Sequence, residues 1–372
     1  MRIAVFCHSL LSDWKHSSAH FLRGITTELA LRGHEVRAFE PSDAWSVRNL
    51  LAEQGTWPLA AMRRAYPLVS PRPYDFASFD FDRALDGVDV VLVHEWNDER
   101  LVSKLGRMRL SGAPFRLLFH DTHRRTETSP ASDLAGYDGV LAFASALSEI
   151  YLDRSWIQRA WVWHEAADVR LFHPPPERAE RERARSLAFV GNWGDDEHTA
   201  ELREFVIDPV AELGIASAFY GAGYPEHAKK ALADAGARYE GWLPNFRVPE
   251  VFARHRVTVH VPRRPSAETL PAIPTIGVFE ALACGIPLVS APWDDSEGLF
   301  RSGRDYLPAW SGAAVKRQLA LLFSDAKFAR ELAAQGRRTI MARHTCAHRV
   351  NELMGILAEL GVVDQLAPSV GA

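Results

Sequence analysis

The sequence predicts an α/β protein of two successive Rossmann-like domains, each an open parallel sheet covered by helices. Three observations predict it. Short apolar runs such as Arg2–Cys7, Asp89–Val93 and Leu187–Val190 have the near-continuous hydrophobicity of strands buried on both faces. Between them lie segments with apolar residues at helical spacing. A Pro-rich stretch, His173-Pro-Pro-Pro176, continues in alternating charges to Arg185 and divides the chain near its middle.

Size and composition agree. A chain of 372 residues is long enough for two domains, each with its own core. Hydrophobic residues make up 47% and charged residues 24%, the balance of a globular protein. The net charge is −4, with 20 Lys and Arg against 22 Asp and Glu through Arg170 and 23 against 25 after it. Neither half is a basic module, which disfavours nucleic acid as a ligand. Cys7, Cys284 and Cys346 are too few and too scattered for a disulfide framework or a zinc site. No apolar run approaches the roughly 20 residues of a membrane span, and Met1-Arg-Ile-Ala-Val-Phe6 begins a strand at once, so a cytoplasmic protein is expected.

In the first half, Arg2–Cys7 is a strand, His20–Arg32 a helix capped by Gly33, and His34–Phe39 a second strand: a βαβ opening. The loop His8-Ser-Leu-Leu-Ser-Asp-Trp-Lys-His-Ser-Ser18 leaves the carboxyl end of the first strand, where open α/β sheets bind ligands. It lacks a Gly-x-Gly-x-x-Gly run, which disfavours a dinucleotide enzyme. Lys15, His16 and Ser17 are candidate substrate contacts or plain loop residues. Residues 41–80 carry Trp45, Trp57 and Tyr74 without a clear period, as an insertion would. Strands at Asp89–Val93 and Phe115–Phe119 end in His94-Glu95 and in the cluster His120, Asp121, His123 and Arg124. A histidine at a strand end beside a carboxylate suits a general base or a hydrogen bond to a substrate, so His120, Asp121 and His123 are the catalytic candidates. Gly139–Phe143 continues the sheet.

The second half opens with Leu187-Ala-Phe-Val-Gly-Asn-Trp-Gly194, a strand and a turn in which Gly191, Asn192 and Trp193 form either a tight turn or a ligand loop. A helix is expected over 199–213, a strand at Ala216–Tyr220, a helix over 225–235 and a strand at Ala237–Gly241. Trp242 and Leu243 follow as core residues or as an apolar wall. Val257–Val261 is a strand leading to Arg263 and Arg264, a pair suited to a diphosphate. Helices are expected over 313–323, 328–343 and from His344 to Leu360. His344 and His348 are read as structural.

The densest punctuation is Pro271–Trp293. Pro271 and Pro274 hold the chain extended, Thr275 stands at an N-cap, and a helix runs from Ile276 until Gly285 and Pro287 end it. Leu288-Val-Ser290 is the next buried strand. The first turn of such a helix is an anion site worth about 0.3–2 kcal/mol. Glu280, one turn in, suits vicinal hydroxyls.

Phe279-Glu-Ala-Leu-Ala-Cys-Gly-Ile-Pro-Leu-Val289 resembles the donor-sugar signature of GT-B glycosyltransferases, especially family-4-like and spore-maturation-type (CgeB-like) members. The resemblance covers about residues 187–360 well and the first half more loosely. It implies a GT-B fold: an acceptor-side domain over 1–170, a linker over 171–186, a nucleotide-sugar domain over 187–350, a cleft between them and a C-terminal helix crossing back. It implies a metal-independent sugar transfer from a nucleoside-diphosphate sugar to a hydroxyl acceptor, with no cofactor and with peripheral membrane contact open. Glu280 would bind ribose, the amides around Thr275, Ile276 and Gly277 would face the diphosphate, and Gly191 and Trp242-Leu243 would face donor and base. The family-4 pattern carries a second Glu eight positions before Glu280, where this chain has Ala272, and CgeB-like chains carry Arg where Gly277 stands. Three alternatives share the fold: a nucleotide-sugar 2-epimerase, which Ala272 weakens; a catalytically degenerate nucleotide- or glycan-binding protein; and a DNA-modifying glucosyltransferase, which the balanced charge disfavours.

Overall fold

The computed structural model describes residues 1–16, 18–122, 134–176, 184–194, 196–262, 274–293 and 295–363. Two compact units emerge, one of Met1–Glu165 with the segment from Cys346, the other Ala166–Thr345.

Among the described residues the first unit holds seven parallel strands: β1 Arg2–Phe6, β2 Glu35–Pro41, β3 Arg72–Tyr74, β4 Val90–His94, β5 Arg116–Asp121, β6 Gly139–Ala142 and β7 Ala160–Val162. Their order is β3-β2-β1-β4-β5-β6-β7. Helices α1 Ala19–Leu31, α2 Trp45–Gln54, α3 Trp57–Ala65, α4 Phe81–Ala84, α5 Glu99–Leu110 and α6 Ser145–Asp153 connect them. Ile3, Phe6, Val91, Leu117, Leu118 and Val140 are buried, as strands covered on both faces require. Residues 41–80, without a clear sequence period, contain α2, α3 and β3.

The second unit holds β8 Ala184–Val190, β9 Ala216–Tyr220, β10 Ala237–Gly241, β11 His255–His260, β12 Leu288–Ser290 and β13 Leu307–Pro308, ordered β10-β9-β8-β11-β12-β13 and again parallel. The single helix expected over 199–213 is α7 Asp196–Leu202, a wide π turn Arg203–Ile207 and α8 Asp208–Leu213. Pro209 explains the turn. It has no N–H for the carbonyl four residues back, and Asp208 N–H instead reaches the Arg203 carbonyl. Then come α9 Glu226–Asp234, α10 Val248–Arg254, α11 Ile276–Ala283, α12 Gly312–Ser324 and α13 Ala326–Arg343. His344 is buried, as the structural reading expects: its Nε2 lies 3.0 Å from the Leu299 carbonyl and its ring packs on Phe279 and Phe300.

The chain enters and leaves this unit side by side, at the bridge between Ala167 and Thr345. The last described helix, α14 Cys346–Glu359, belongs to the first unit. Arg32 at the end of α1 donates to Asn351 Oδ1 (2.7 Å) and the Ala347 carbonyl (2.9 Å), and Trp163 Nε1 donates to the Arg349 carbonyl (2.8 Å). No described helix is long and apolar enough to cross a membrane.

Candidate functional site

In each sheet the strand order turns back once, between β8 and β11 in the second unit and between β1 and β4 in the first. Open α/β sheets bind ligands at the carboxyl ends of strands beside such a switch point. Both points carry an unusual set of polar and aromatic residues.

In the second unit, β8 runs into the turn Gly191–Gly194. Asn192 Oδ1 accepts the Ala222 N–H (2.8 Å), Trp193 N–H donates to the Ala222 carbonyl (3.1 Å), and Tyr224 donates its hydroxyl to the Gly191 carbonyl (2.9 Å). Gly221 has φ +155°, and a Cβ there would stand 2.0 Å from the Gly191 carbonyl oxygen. Trp193 is a core residue whose ring meets Tyr224 at 5.1 Å, with Tyr224 in turn 4.5 Å from Tyr239. The side chains of Asn192 and Trp193 therefore build the turn, and what the turn offers a ligand is its backbone.

Across the switch point stands α11. Thr275 is its N-cap, extended at φ −69° and ψ 165°, and Gly285 at φ +60° follows its end. Glu280 is buried one turn in, and Asn245 donates its side-chain amide to Glu280 Oε1. Asn245 arrives because β10 ends at Gly241 and the half-buried Trp242 and Leu243 lead into a 3₁₀ turn, Asn245–Arg247. The sequence reading had named Trp242 and Leu243 and missed Asn245 just after them.

It also missed His260 and Ser290. These are the last residues of β11 and β12 and pair in register. His260 Nδ1 lies 2.9 Å from Ser290 Oγ, and its Nε2 lies 2.9 Å from Thr275 Oγ1. Burial, with His198 nearby, pushes the His260 pKa down to about 3, so the ring is neutral at pH 7. Thr275 makes no side-chain bond to the amides of α11. The signal in sequence was a polar residue closing each strand, after Val257-Thr-Val259 in one and Leu288-Val289 in the other.

Arg263, Arg264 and Ala272 lie outside the described residues, as do Ser17 and His123. Ile276 is buried and Gly277 half-buried at the first turn of α11.

In the first unit, four of the described histidines line the carboxyl edge. His8 and His16 come from the loop after β1, while His94 and His120 end β4 and sit near the end of β5, paired in register. Ring centroids run His8 to His16 5.5 Å, His16 to His94 5.9 Å and His94 to His120 5.2 Å. All four are buried. Trp45 stacks on His8 at 4.8 Å, and Phe21 and Trp163 hold the far side of His120. Desolvation lowers the pKa of His8 to about 4 and those of His16 and His120 to about 3. Neither ring nitrogen of His120 has a hydrogen-bond partner among the described residues. Leaving such groups dry costs about 1–3 kcal/mol each.

Around this column the loop is tied down. Glu40, at the end of β2, accepts from Leu10 N–H (2.8 Å), Leu11 N–H (3.3 Å) and the Ser9 hydroxyl (3.2 Å). Arg23 donates to the Leu10 carbonyl (2.7 Å) and pairs with Asp13 at 2.9 Å. Lys15, at φ +50°, is exposed, whereas His16 is 1% exposed. Asp121 is fully buried and accepts the Tyr151 hydroxyl (2.5 Å), and Thr122 donates its hydroxyl to Glu95. Among the described residues, no group of three or more His, Cys, Asp or Glu side chains is arranged to hold a metal ion.

Residues 202–355 match a family described as glycosyl transferase-like, a span that includes α11, Asn245, His260 and Ser290. The fold is that of GT-B glycosyltransferases. A sucrose-phosphate synthase from Thermosynechococcus elongatus superposes with a TM-score of 0.64 at 14% identity, covering 97% of this chain and 99% of that one. HepE from Anabaena, in complex with UDP and glucose, gives 0.65 at 14% identity, over 96% and 100%. A glycosyltransferase from Rickettsia africae gives 0.66 at 10% identity, over 98% and 99%. A search of curated proteins by sequence found no match.

Proposed function

We propose that this chain, a glycosyltransferase by its matched domain and GT-B by fold, transfers a sugar from a nucleoside-diphosphate sugar to a hydroxyl acceptor without a metal ion. The observation that carries the reading is Glu280: a buried carboxylate one turn into α11, oriented by Asn245, inside the matched span and at the carboxyl edge of its sheet. A charged acceptor held there suits the vicinal hydroxyls of a ribose. The first-turn amides at Ile276 and Gly277 suit the diphosphate, with Arg263 and Arg264 adding positive charge to the departing group. Trp242 and Leu243 form the wall for the base, and Gly191 offers backbone. That HepE was captured with UDP and glucose supports a uridine nucleotide as the first donor to try.

On the first unit, His120 is the catalytic-side group, joined by Asp121 and His123, with Lys15, His16 and Ser17 on the acceptor side. The neutral ring of His120, without a hydrogen-bond partner among the described residues, is better suited to hydrogen-bond a sugar or acceptor hydroxyl than to hold a proton at pH 7. The motif at Phe279–Val289 and the absence of Glu at position 272 support a place in the spore-maturation-type (CgeB-like) branch, and Gly277 departs from it. Lipid-linked, glycan and small-molecule acceptors all supply the hydroxyl the reading needs.

The test is a thermal-shift and calorimetric screen against UDP-, GDP-, ADP- and dTDP-sugars with Glu280→Ala alongside. One nucleotide sugar should bind the wild type, and binding and hydrolysis should persist in EDTA. No response to any of them overturns the reading.

A further inference from the structure

Three side chains at the head of α11 form one hydrogen-bonded row, and the order of its protons can be worked out. Ser290 is fully buried, with Oγ 2.8 Å from the Ala291 carbonyl oxygen and 3.3 Å from that of His260. A carbonyl only accepts, so the Ser290 hydroxyl proton is directed there. Ser290 Oγ then accepts from His260 Nδ1, at 2.9 Å. A neutral imidazole with its proton on Nδ1 has a bare Nε2. Thr275 Oγ1, 2.9 Å from that nitrogen, therefore donates to it.

The consequence falls on Thr275. It is exposed, and its one hydroxyl proton is committed to His260, so it presents lone pairs alone. A phosphate oxygen, itself an acceptor, is repelled by that arrangement, while a hydroxyl group is welcomed. Resting on the reading of this edge as the nucleotide-sugar site, we propose that Thr275 Oγ1 receives a hydroxyl of the bound nucleotide sugar, from the transferred sugar or the ribose, and that His260 is the positioning residue that enforces this by occupying the Thr275 proton. The diphosphate is left to backbone amides. Among the described residues, an added Cβ at Gly277 would meet Thr275 Oγ1 at 3.6 Å and the His260 ring at 4.0 Å, both ordinary contact distances.

The experiment titrates three ligands into wild type, Thr275→Val, Thr275→Ser and His260→Phe: the glucose conjugate of UDP, GDP, ADP or dTDP that the wild type binds, its nucleoside diphosphate, and inorganic pyrophosphate. Thr275→Val should weaken the nucleotide sugar about three- to tenfold, the range of one neutral hydrogen bond, and leave pyrophosphate unchanged. Thr275→Ser should restore wild-type affinity. A loss shared by the nucleoside diphosphate assigns the ribose hydroxyl, and a loss confined to the nucleotide sugar assigns the transferred sugar. His260→Phe frees the Thr275 proton, so the nucleotide sugar should weaken while pyrophosphate binds more tightly, a crossing that a merely loosened site would not give. If His260→Phe does not fold, the two threonine variants decide. Unchanged nucleotide-sugar affinity in Thr275→Val, or an equal loss for pyrophosphate, overturns the inference while the donor-site reading stands. No nucleotide-sugar binding to the wild type overturns both.

Discussion

Asn245 donates its side-chain amide to Glu280, tying the turn after β10 to the helix whose first turn faces the switch point. The bond joins residues 35 apart in sequence, and it fixes the carboxylate's orientation. Removing the carboxylate with Glu280→Ala should weaken nucleotide-sugar binding by about tenfold or more, since a hydrogen bond to a charged group is worth roughly 1.5–3 kcal/mol. Asn245→Ala keeps the charge and loses only its orientation, so the expected loss is smaller, about threefold to tenfold. Calorimetry on the two variants checks the order. Equal losses would mean that the pair acts as a structural tie alone.

The histidine column predicts acid sensitivity. The folded-state pKa values of His8, His16 and His120 are depressed to about 4, 3 and 3, against about 6.5 in an unfolded chain. Between those values the unfolded state binds more protons than the native state. Stability is therefore fully present above about pH 6.5 and is lost as pH falls toward 4, by up to about 1.4 kcal/mol per pH unit for each histidine. Asp43 near His8 opposes the shift, and Arg23 near His16 deepens it. Glu40, raised by burial, works in the opposite sense but is common to both proteins in the test. Urea unfolding of wild type and His120→Phe from pH 7.5 to 5.5 should show the variant with the flatter dependence.

Much of this was legible in the residues, for identifiable reasons. Strands with both faces covered announce themselves as apolar runs, and β1, β4, β11 and β12 lie within three residues of where such runs stand. The helix Ile276–Ala283 was bounded in sequence by Thr275 and Gly285, and those residues bound it in the structure. The partners were harder to see. Asn245, His260 and Ser290 matter because of what stands opposite them, and a single sequence does not state which strand ends are neighbours. His16 read as either a substrate contact or a plain loop residue; the structure buries it between His8 and His94, with Glu40 and Arg23 holding the loop from β2 and α1. The π turn at Arg203–Ile207 had a visible cause in Pro209, and the helical period on both sides concealed it.

Gly221 is expected to tolerate no side chain. Its φ of +155° disfavours L residues, and a Cβ would collide with the Gly191 carbonyl oxygen at 2.0 Å, a backbone atom with no flexible end to yield. Gly221→Ala should destabilise the second unit by about 2–4 kcal/mol, seen as a lower urea midpoint. Gly214, also at positive φ but with no atom near its Cβ position, provides the control: Gly214→Ala should lose only about 1 kcal/mol.

The buried pair Arg23–Asp13 tests whether the first-unit loop is held by charge or by packing. Arg23 is 0% exposed, its Nη1 lies 2.9 Å from Asp13 Oδ2, and its Nε holds the Leu10 carbonyl at 2.7 Å. Taking one partner away leaves a charge in an apolar setting, which typically costs about 3–5 kcal/mol. Asp13→Ala should therefore lower stability by that order, moderated by the attraction between Arg23 and Glu40. Replacing both residues, as Asp13→Leu with Arg23→Met, removes the stranded charge and should recover part of the loss, because such pairs contribute little net stability against apolar residues of similar volume. If the double variant is as unstable as the single one, the guanidinium bond to the Leu10 carbonyl, rather than the ion pair, is what fixes the loop that carries His8 and His16.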